Sequence, residues 1–165
     1  METDLSKIKH LASIRENENM RFRTFLKGKD GDKVDVIVHR LHEEITKQID
    51  CALCRNCCRQ LNVRLFPEEI AFLAQLESIT PENYESEYCE KEGFGEIYLK
   101  KLPCRYLDGS QCRIQENRPK KCQDFPYTAK KKFISRLLGM LSFYEICPIV
   151  FNLMEKLKTE LRFRR

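Results

Sequence analysis

The sequence contains no long apolar segment. No apolar run approaches the roughly 20 residues that a helix needs to cross a membrane. The opening residues, Met1 to Lys7, have no apolar stretch after a basic start, which a secretory signal would need. We therefore expect a cytoplasmic protein with no membrane partner.

Histidine is scarce, and its placement argues against one kind of catalysis. The only three histidines are His10, His39 and His42, and no motif surrounds them. A nucleophilic cysteine needs a base beside it, so cysteine catalysis is disfavoured and no catalytic residue is assigned. His39 and His42 have a spacing that can bind metal on a helix, but a surface location is the simpler interpretation. Whether the chain is an enzyme stays open.

The excess of positive charge is small. The chain has 30 basic and 25 acidic residues, giving a net charge of +5. No motif combines basic and aromatic residues as nucleic-acid sites do, so nucleic acid is not an expected partner. Phe22 and Phe25 lie in a basic stretch, and we expect them to pack on the core instead of stacking on bases. A protein partner is compatible with the sequence but is not identified by it.

Cysteine is abundant and closely spaced. Nine cysteines are present, and four of them form the motif Cys51-x2-Cys54-x2-Cys57-Cys58. In a reducing compartment an odd number of cysteines is not expected to form a disulfide framework. Thiolates are soft metal ligands, and two-residue gaps let successive sulfurs converge on one point. Adjacent side chains point in different directions, so we expect Cys57 and Cys58 to diverge, one toward Cys51 and Cys54 and the other toward a second centre or the core.

Four further cysteines complete a predicted set of eight metal ligands. Three of them lie in a loop-rich region over 100–126, where Pro, Gly and Asp punctuate the chain. The last precedes Pro148. The predicted ligands are Cys51, Cys54, Cys57, Cys58, Cys104, Cys112, Cys122 and Cys147. Cys89 stands outside the pattern, and we predict that it lies on a helix and is dispensable.

The number of centres and the metal are left open by the spacing. Eight thiolates suffice for two tetrahedral zinc ions, for two cubane clusters, or for one centre with the other thiols unused. The Cys-x2-Cys-x2-Cys run with a distant Cys147-Pro148 is similar to the bacterial ferredoxin arrangement. Zinc sites more often pair two Cys-x2-Cys knuckles, and the second half of this chain lacks one. An iron–sulfur cluster is therefore favoured over zinc as the cofactor.

Apolar periodicity predicts a mainly α fold with little β structure. Apolar residues make up 42% of the 165 residues, enough for a packed interior. They recur every three or four positions in four segments, which predicts helices near 34–49, 67–77, 130–143 and 148–161. Looser helical spacing covers 5–16, and Thr80-Pro81 starts another short helix. Asp32 is the expected cap of the 34–49 helix, and short extended pieces are predicted at 62–66 and 97–99.

These elements predict a single domain over residues 1–165. Helices surround a loop-rich cysteine core at 51–126, which Cys147 extends, and residues 1–30 form an N-terminal arm. The 34–49 helix runs directly into Cys51 and fixes one side of the cysteine loop.

Three motifs together resemble a known family. They are the Cys51–Cys58 motif, Pro103-Cys104-Arg-Tyr-Leu-Asp-Gly-Ser-Gln-Cys112, and Arg118-Pro119-x2-Cys122-Gln-Asp-Phe-Pro126. This combination resembles the YkgJ family of bacterial cysteine-cluster proteins. The resemblance implies chelation of zinc or iron. The family also includes the flagellin lysine N-methylase, whose similar cysteines are associated with an iron–sulfur centre, but this chain is shorter and has no glycine-rich loop for a methyl donor.

Three functions fit these observations. The favoured one is a protein whose iron–sulfur cluster, or iron, carries electrons or senses oxidation. The second is an enzyme or its accessory subunit, such as that of a methyltransferase, with an open position at the cluster. The third is a structural zinc module that scaffolds a partner.

Overall fold

The computed structural model describes residues 1–164 and divides into two compact units. The first unit consists of Met1–Cys51 together with the chain from Pro126 onward, and the second is Ala52–Phe125. The expectation of a single domain over residues 1–165 stays a prediction.

Helices provide most of the regular structure. In chain order they are α1 (Leu5–Ile14), α2 (Glu16–Lys27), α3 (Gly31–Thr46), α4 (Cys51–Cys54), α5 (Asn56–Gln60), α6 (Pro67–Leu76), α7 (Pro81–Tyr88), α8 (Lys120–Asp124), α9 (Phe133–Ser142) and α10 (Pro148–Glu160). The strands are short: β1 (Arg64–Leu65), β2 (Cys89–Glu92), β3 (Glu96–Leu99), β4 (Leu107–Asp108) and β5 (Gln111–Cys112). The predicted mainly α fold with little β structure is confirmed.

Helix α3 forms where the apolar spacing predicts it. Val34, Val38, Leu41 and Ile45 are buried on one side of the helix, which packs against α9 and α10. Its cap is Asp30, whose Oδ1 accepts hydrogen bonds from the backbone N–H groups of residues 32 and 33 at 3.0 and 3.2 Å. The prediction of Asp32 as the cap is wrong, because a cap must precede the first turn and residue 32 already lies inside it.

The start of α9 is held by a side chain from α3. The buried Asp35 carboxylate accepts the backbone N–H groups of Lys132 and Phe133 at 2.5 and 2.9 Å. Lys132 has a left-handed φ of 59° and no capping side chain of its own. Asp35 therefore supplies from another helix the cap that the local sequence lacks.

The N-terminal arm is part of the core of the first unit. Ile8, Phe22 and Leu26 are fully buried, and the rings of Phe22 and Phe25 lie 5.0 and 5.3 Å from that of Phe163. The expectation that these two aromatic residues pack on the core is confirmed.

Helix α10 is buried along most of its length. Its Lys158 is 1% exposed, and its Nζ lies 2.8 Å from Glu18 and 2.6 Å from Glu155. Such pairing is what makes a buried ammonium group tolerable.

Besides most of α4 and the short helices α5 and α8, the second unit contains α6, α7 and two small antiparallel sheets. Pro67 and the Glu69 carboxylate, which accepts the N–H of Phe66 at 2.8 Å, start α6. The three-stranded sheet has the order β1-β3-β2, and β4 pairs with β5 as a separate hairpin. Helices α6 and α7 share a core with β3, in which the hydroxyls of Tyr84 and Tyr106 are 2.8 Å apart.

Cys89 lies at the start of β2, opposite Leu99 of β3, and is 5% exposed. Its predicted placement on a helix is wrong, because pairing with β3 ends the helical segment at Tyr88.

Within residues 1–164, no helix is both long enough and apolar enough to cross a membrane.

Candidate metal centre

The cysteine-rich segment folds as two very short helices separated by a left-handed residue. Arg55, with a φ of 49°, lies between α4 and α5. This conformation ends one helix and lets the chain start the next in another direction. Cys51 and Cys54 are the ends of α4, while Cys57 and Cys58 lie together in α5.

The Sγ atoms of Cys57 and Cys58 are 3.9 Å apart. The two side chains converge, where the sequence predicts that they diverge. Adjacent helical residues differ by only about 100° around the axis, so suitable rotamers can bring two short side chains together. Two thiolates bound to one zinc at about 2.3 Å in tetrahedral geometry lie about 3.8 Å apart. The observed spacing therefore fits ligands of a single ion.

Arg55 connects this segment to the residues around Cys112. Its side chain is 6% exposed, and its Nε donates to the Ser110 carbonyl at 3.3 Å. Its Nη2 donates to Gln115 Oε1 at 2.8 Å. These acceptors lie on either side of Cys112, so one buried guanidinium holds the loop that carries this thiol.

Arg59 makes a second connection to the same hairpin. It donates from Nη2 to the Gly109 carbonyl and from Nη1 to the Cys54 carbonyl, both at 3.1 Å. Gly109 has a φ of 57° and forms the turn between β4 and β5. Two arginines thus fasten the turn before Cys112 to the cysteine-rich segment.

Cys104 is joined to the cysteine-rich segment through the backbone. Its N–H donates to the carbonyl of Cys58 at 2.8 Å. Burial raises the pKa of the Cys104 thiol, while the backbone N–H groups of Tyr106 and Leu107 favour its thiolate form. Backbone N–H groups directed at a thiolate are a common second layer around metal-bound sulfur.

Four thiols of the second unit are close enough to influence one another's ionisation. Burial, followed by repulsion from Cys104, Cys58 and Cys112, raises the pKa of Cys122 to about 12, although Arg118 acts in the opposite direction. Repulsion from Cys58 and Cys112 also raises the pKa of Cys104. Three separate stretches of chain therefore contribute thiols that influence one another's ionisation. We call these four residues the thiol group: Cys58, Cys104, Cys112 and Cys122.

Positive charge surrounds this neighbourhood. The pKa of Cys58 is lowered to about 6, first by its contact with Cys57 and then by attraction from Arg55, Arg118 and Arg59. A bound metal needs deprotonated thiols. The arginines therefore favour the form of Cys58 that binds metal.

The chain also matches a known protein family. The model of the CxxCxxCC family, described as a putative zinc- or iron-chelating domain, covers residues 50–138, which is more than half of the chain. The chain belongs to the CxxCxxCC family. This is the YkgJ-type family that the motifs resemble, and membership indicates chelation of zinc or iron. No curated protein and no solved structure matches the chain.

The remaining cysteines have varied surroundings. Cys54 is half-buried in the second unit, whereas Cys51, which is exposed, and Cys147, which is buried, belong to the first unit. Burial raises the pKa of Cys89 to about 11. No disulfide forms among residues 1–164, in which all nine cysteines are reduced thiols.

The sulfur atoms of the second unit are the type of ligand atom that a thiophilic metal prefers. They are uncharged or anionic sulfurs beside three guanidinium groups, and this combination suits zinc or an iron–sulfur cluster. Over the described chain, no three or more Cys, His, Asp or Glu side chains are gathered as a group that could hold a metal ion. The eight cysteines remain the predicted ligands.

Arg55 and Arg59 were assigned no role from the sequence. A signal is nevertheless present, because Arg55 and Arg59 alternate with the cysteines in Cys54-Arg-Asn-Cys-Cys-Arg59. Apart from the Cys54 carbonyl, their acceptors lie 50 to 60 residues further along the chain, so the sequence alone does not indicate which groups they contact.

Proposed function

We propose that this protein holds an iron–sulfur cluster through cysteine thiolates and carries electrons or senses oxidation in the cytoplasm. The observation that carries the proposal is the 2.8 Å hydrogen bond from the Cys104 N–H to the Cys58 carbonyl, which connects two members of the thiol group from separate stretches of chain. Four thiolates are the usual complement of one cluster. The other four predicted ligands are Cys51, Cys54, Cys57 and Cys147, and the Sγ of Cys57 lies 3.9 Å from that of Cys58.

A bound cluster would supply reversible one-electron chemistry. The residues of the chain would contribute the rest. Cysteine thiolates would bind iron, and Arg55, Arg59 and Arg118 would offset their negative charge. The N–H groups of residues 106 and 107 would donate to the Cys104 sulfur. Positive charge and N–H donors next to cluster sulfur favour the reduced state, because reduction adds negative charge.

A structural zinc site is a second candidate, and one distance favours it. The 3.9 Å between the Sγ atoms of Cys57 and Cys58 suits two ligands of one tetrahedral ion. In this alternative the metal stabilises the second unit and has no redox role.

Metal and sulfide analysis distinguishes these candidates. The full chain is purified without oxygen, and iron, zinc and acid-labile sulfide are measured per chain. The cluster proposal predicts iron and sulfide in equal amounts, a visible absorption band and a reversible reduction wave. Stoichiometric zinc in a colourless protein would establish the structural alternative instead. A chain that binds neither metal, even after anaerobic reconstitution with iron and sulfide, would overturn both.

A further inference from the structure

A fully exposed aromatic side chain occupies the tip of the β2–β3 hairpin. Phe94 is 108% exposed relative to a reference residue, more than any other large apolar side chain of residues 1–164. It lies between Gly93 and Gly95, whose φ angles are 51° and 85°. These left-handed glycines build the turn that presents the ring to solvent.

Acidic side chains lie beside this ring on one face of the hairpin. Glu92 pairs with Glu96 across the two strands, and Glu90 pairs with Tyr98. Directly paired residues share a face, as do residues two apart on one strand. The three glutamates therefore lie on the same face, and Arg64, which forms an ion pair with Glu96, is the basic residue of β1 that faces them.

The surrounding sequence is acidic although the whole chain is basic. Residues 82–96 include six glutamates and one lysine, whereas the chain carries a net charge of +5. The lysine, Lys91, forms an ion pair with Glu85 at 2.7 Å. The exposed ring thus lies in a stretch of chain with net negative charge.

Both features are unfavourable for the isolated chain. Like charges directly opposite each other destabilise a strand pair, and an aromatic ring in water forgoes its burial energy. Exposed aromatic anchors with a charged surround are typical of protein-binding surfaces. Negatively charged nucleic acids and anionic membranes would be repelled by the glutamates.

We propose that the tip of the β2–β3 hairpin binds a partner protein that has an apolar pocket bordered by lysine or arginine side chains. Phe94 enters the pocket, and Glu92 and Glu90 face the basic border. Attraction between the two borders speeds association, and burial of the ring provides most of the affinity. The proposal does not depend on which metal the cysteines hold.

Site-specific cross-linking provides the test. The full chain carries p-benzoylphenylalanine at position 94 in its own cells, and the control chain carries it at Leu138, which is 57% exposed on α9. After illumination, a protein trapped at position 94 and absent from the control is identified, purified and titrated with the unmodified chain. We expect Phe94→Ala to weaken binding about 30-fold or more. Glu92→Lys, made as a separate single substitution, should also weaken binding. Added salt should lower the affinity of the unmodified chain.

Several outcomes would overturn the proposal. They are the same adducts at positions 94 and 138, adducts only with lipid, nucleic acid or a second copy of the chain, or binding of neutral phosphatidylcholine vesicles through Phe94. Equal affinity of the purified partner for the unmodified chain and for Phe94→Ala would also overturn it. The Leu138→Ala variant should bind as tightly as the unmodified chain, which shows that loss of an exposed apolar side chain is not by itself responsible.

Discussion

Arg55 is the residue on which the arrangement of the candidate metal centre most depends. It is buried next to Cys54, its backbone separates α4 from α5, and its side chain reaches both Ser110 and Gln115. A buried guanidinium that bridges two loops both fixes their separation and adds positive charge. Its role is to position Cys112 and to favour thiolates, without itself binding metal.

Removing this side chain should loosen the second unit. We expect Arg55→Ala to lower the free energy of unfolding by about 1–3 kcal/mol, because two hydrogen bonds from a charged donor are lost. Metal should also dissociate faster to a chelator. Arg113→Ala is the matched control, since Arg113 is exposed in the same region and its guanidinium donates to the nearby Arg105 carbonyl at 2.9 Å. Equal effects of the two substitutions, measured by denaturant unfolding and by metal release, would contradict this role.

His42 gives the first unit a specific pH dependence. Its Nδ1 lies 2.7 Å from Thr128 Oγ1, and burial, followed by repulsion from His39, lowers its pKa from the ordinary value of 6.5. The folded state disfavours protonation of a histidine whose pKa it lowers. The stability that neutral His42 contributes is therefore fully present above the pKa of the unfolded state. Stability should fall as pH drops from about 6.5 toward the folded pKa.

This expectation is measured as the free energy of unfolding between pH 7.5 and pH 5. The decrease on acidification should be smaller in His42→Gln than in the unmodified chain. His10→Gln, which changes an exposed histidine of α1, serves as the control and should leave the decrease unchanged. An identical pH dependence of all three proteins would show that His42 does not contribute.

At the scale of elements, a cap from outside the local sequence decides where α9 begins. Asp35 of α3 caps α9 through the N–H groups of Lys132 and Phe133. We expect Asp35→Ala to lower the free energy of unfolding by about 2 kcal/mol, since a buried charge-assisted cap is lost. Asp32→Ala removes the same charge from the exposed side of α3 and should cost less than about 0.5 kcal/mol. Thermal or denaturant unfolding compares them, and a larger loss in Asp32→Ala would contradict the assignment.

The helices could be predicted from the sequence because their determinants are local. Apolar spacing and the Pro67, Pro81 and Pro148 starts predict α3, α6, α7, α9 and α10 to within a few residues. The cap of α3 was assigned two residues too late, since Asp30 and Asp32 are both residue types that cap helices. Cys89 was placed on a helix because its pairing with Leu99 is set by contacts that a local pattern does not contain.

The sequence predicts the sulfur ligands of the candidate site, but it does not predict the surroundings that the structure shows for them. Cysteine spacing indicates metal chelation, as family membership does. The roles of Arg55 and Arg59 depend on carbonyl groups about 50 residues away, and the convergence of Cys57 with Cys58 depends on rotamers. Neither feature produces a pattern of residue spacing that could be recognised in the sequence.

At the scale of the whole molecule, metal binding and ordering of the cysteine region should be coupled. Bringing together thiols from distant stretches closes several loops, and each closure costs entropy. Metal–thiolate bonds in small sites offset such costs by on the order of 10 kcal/mol. The helices of the first unit have extensive apolar cores of their own, and α10 is the most buried of them.

Removing the metal should therefore affect the chain unevenly. Hydrogen exchange on the loaded and stripped proteins should show protection lost over residues 51–58 and 100–126 and kept over 148–160. The helical signal in circular dichroism should largely persist. Unchanged protection throughout would mean that metal does not hold the cysteine region together.

The most direct test of the central claim is the metal content of cysteine variants. Cys58→Ser, Cys104→Ser, Cys112→Ser and Cys122→Ser each remove one member of the thiol group, and Cys89→Ser removes the buried cysteine outside the family motif. All are purified without oxygen, and metal per folded chain is measured. We predict that each of the four loses most of its metal, whereas Cys89→Ser retains the content of the unmodified protein. Full metal content in the four variants, or a comparable loss in Cys89→Ser, would contradict the account.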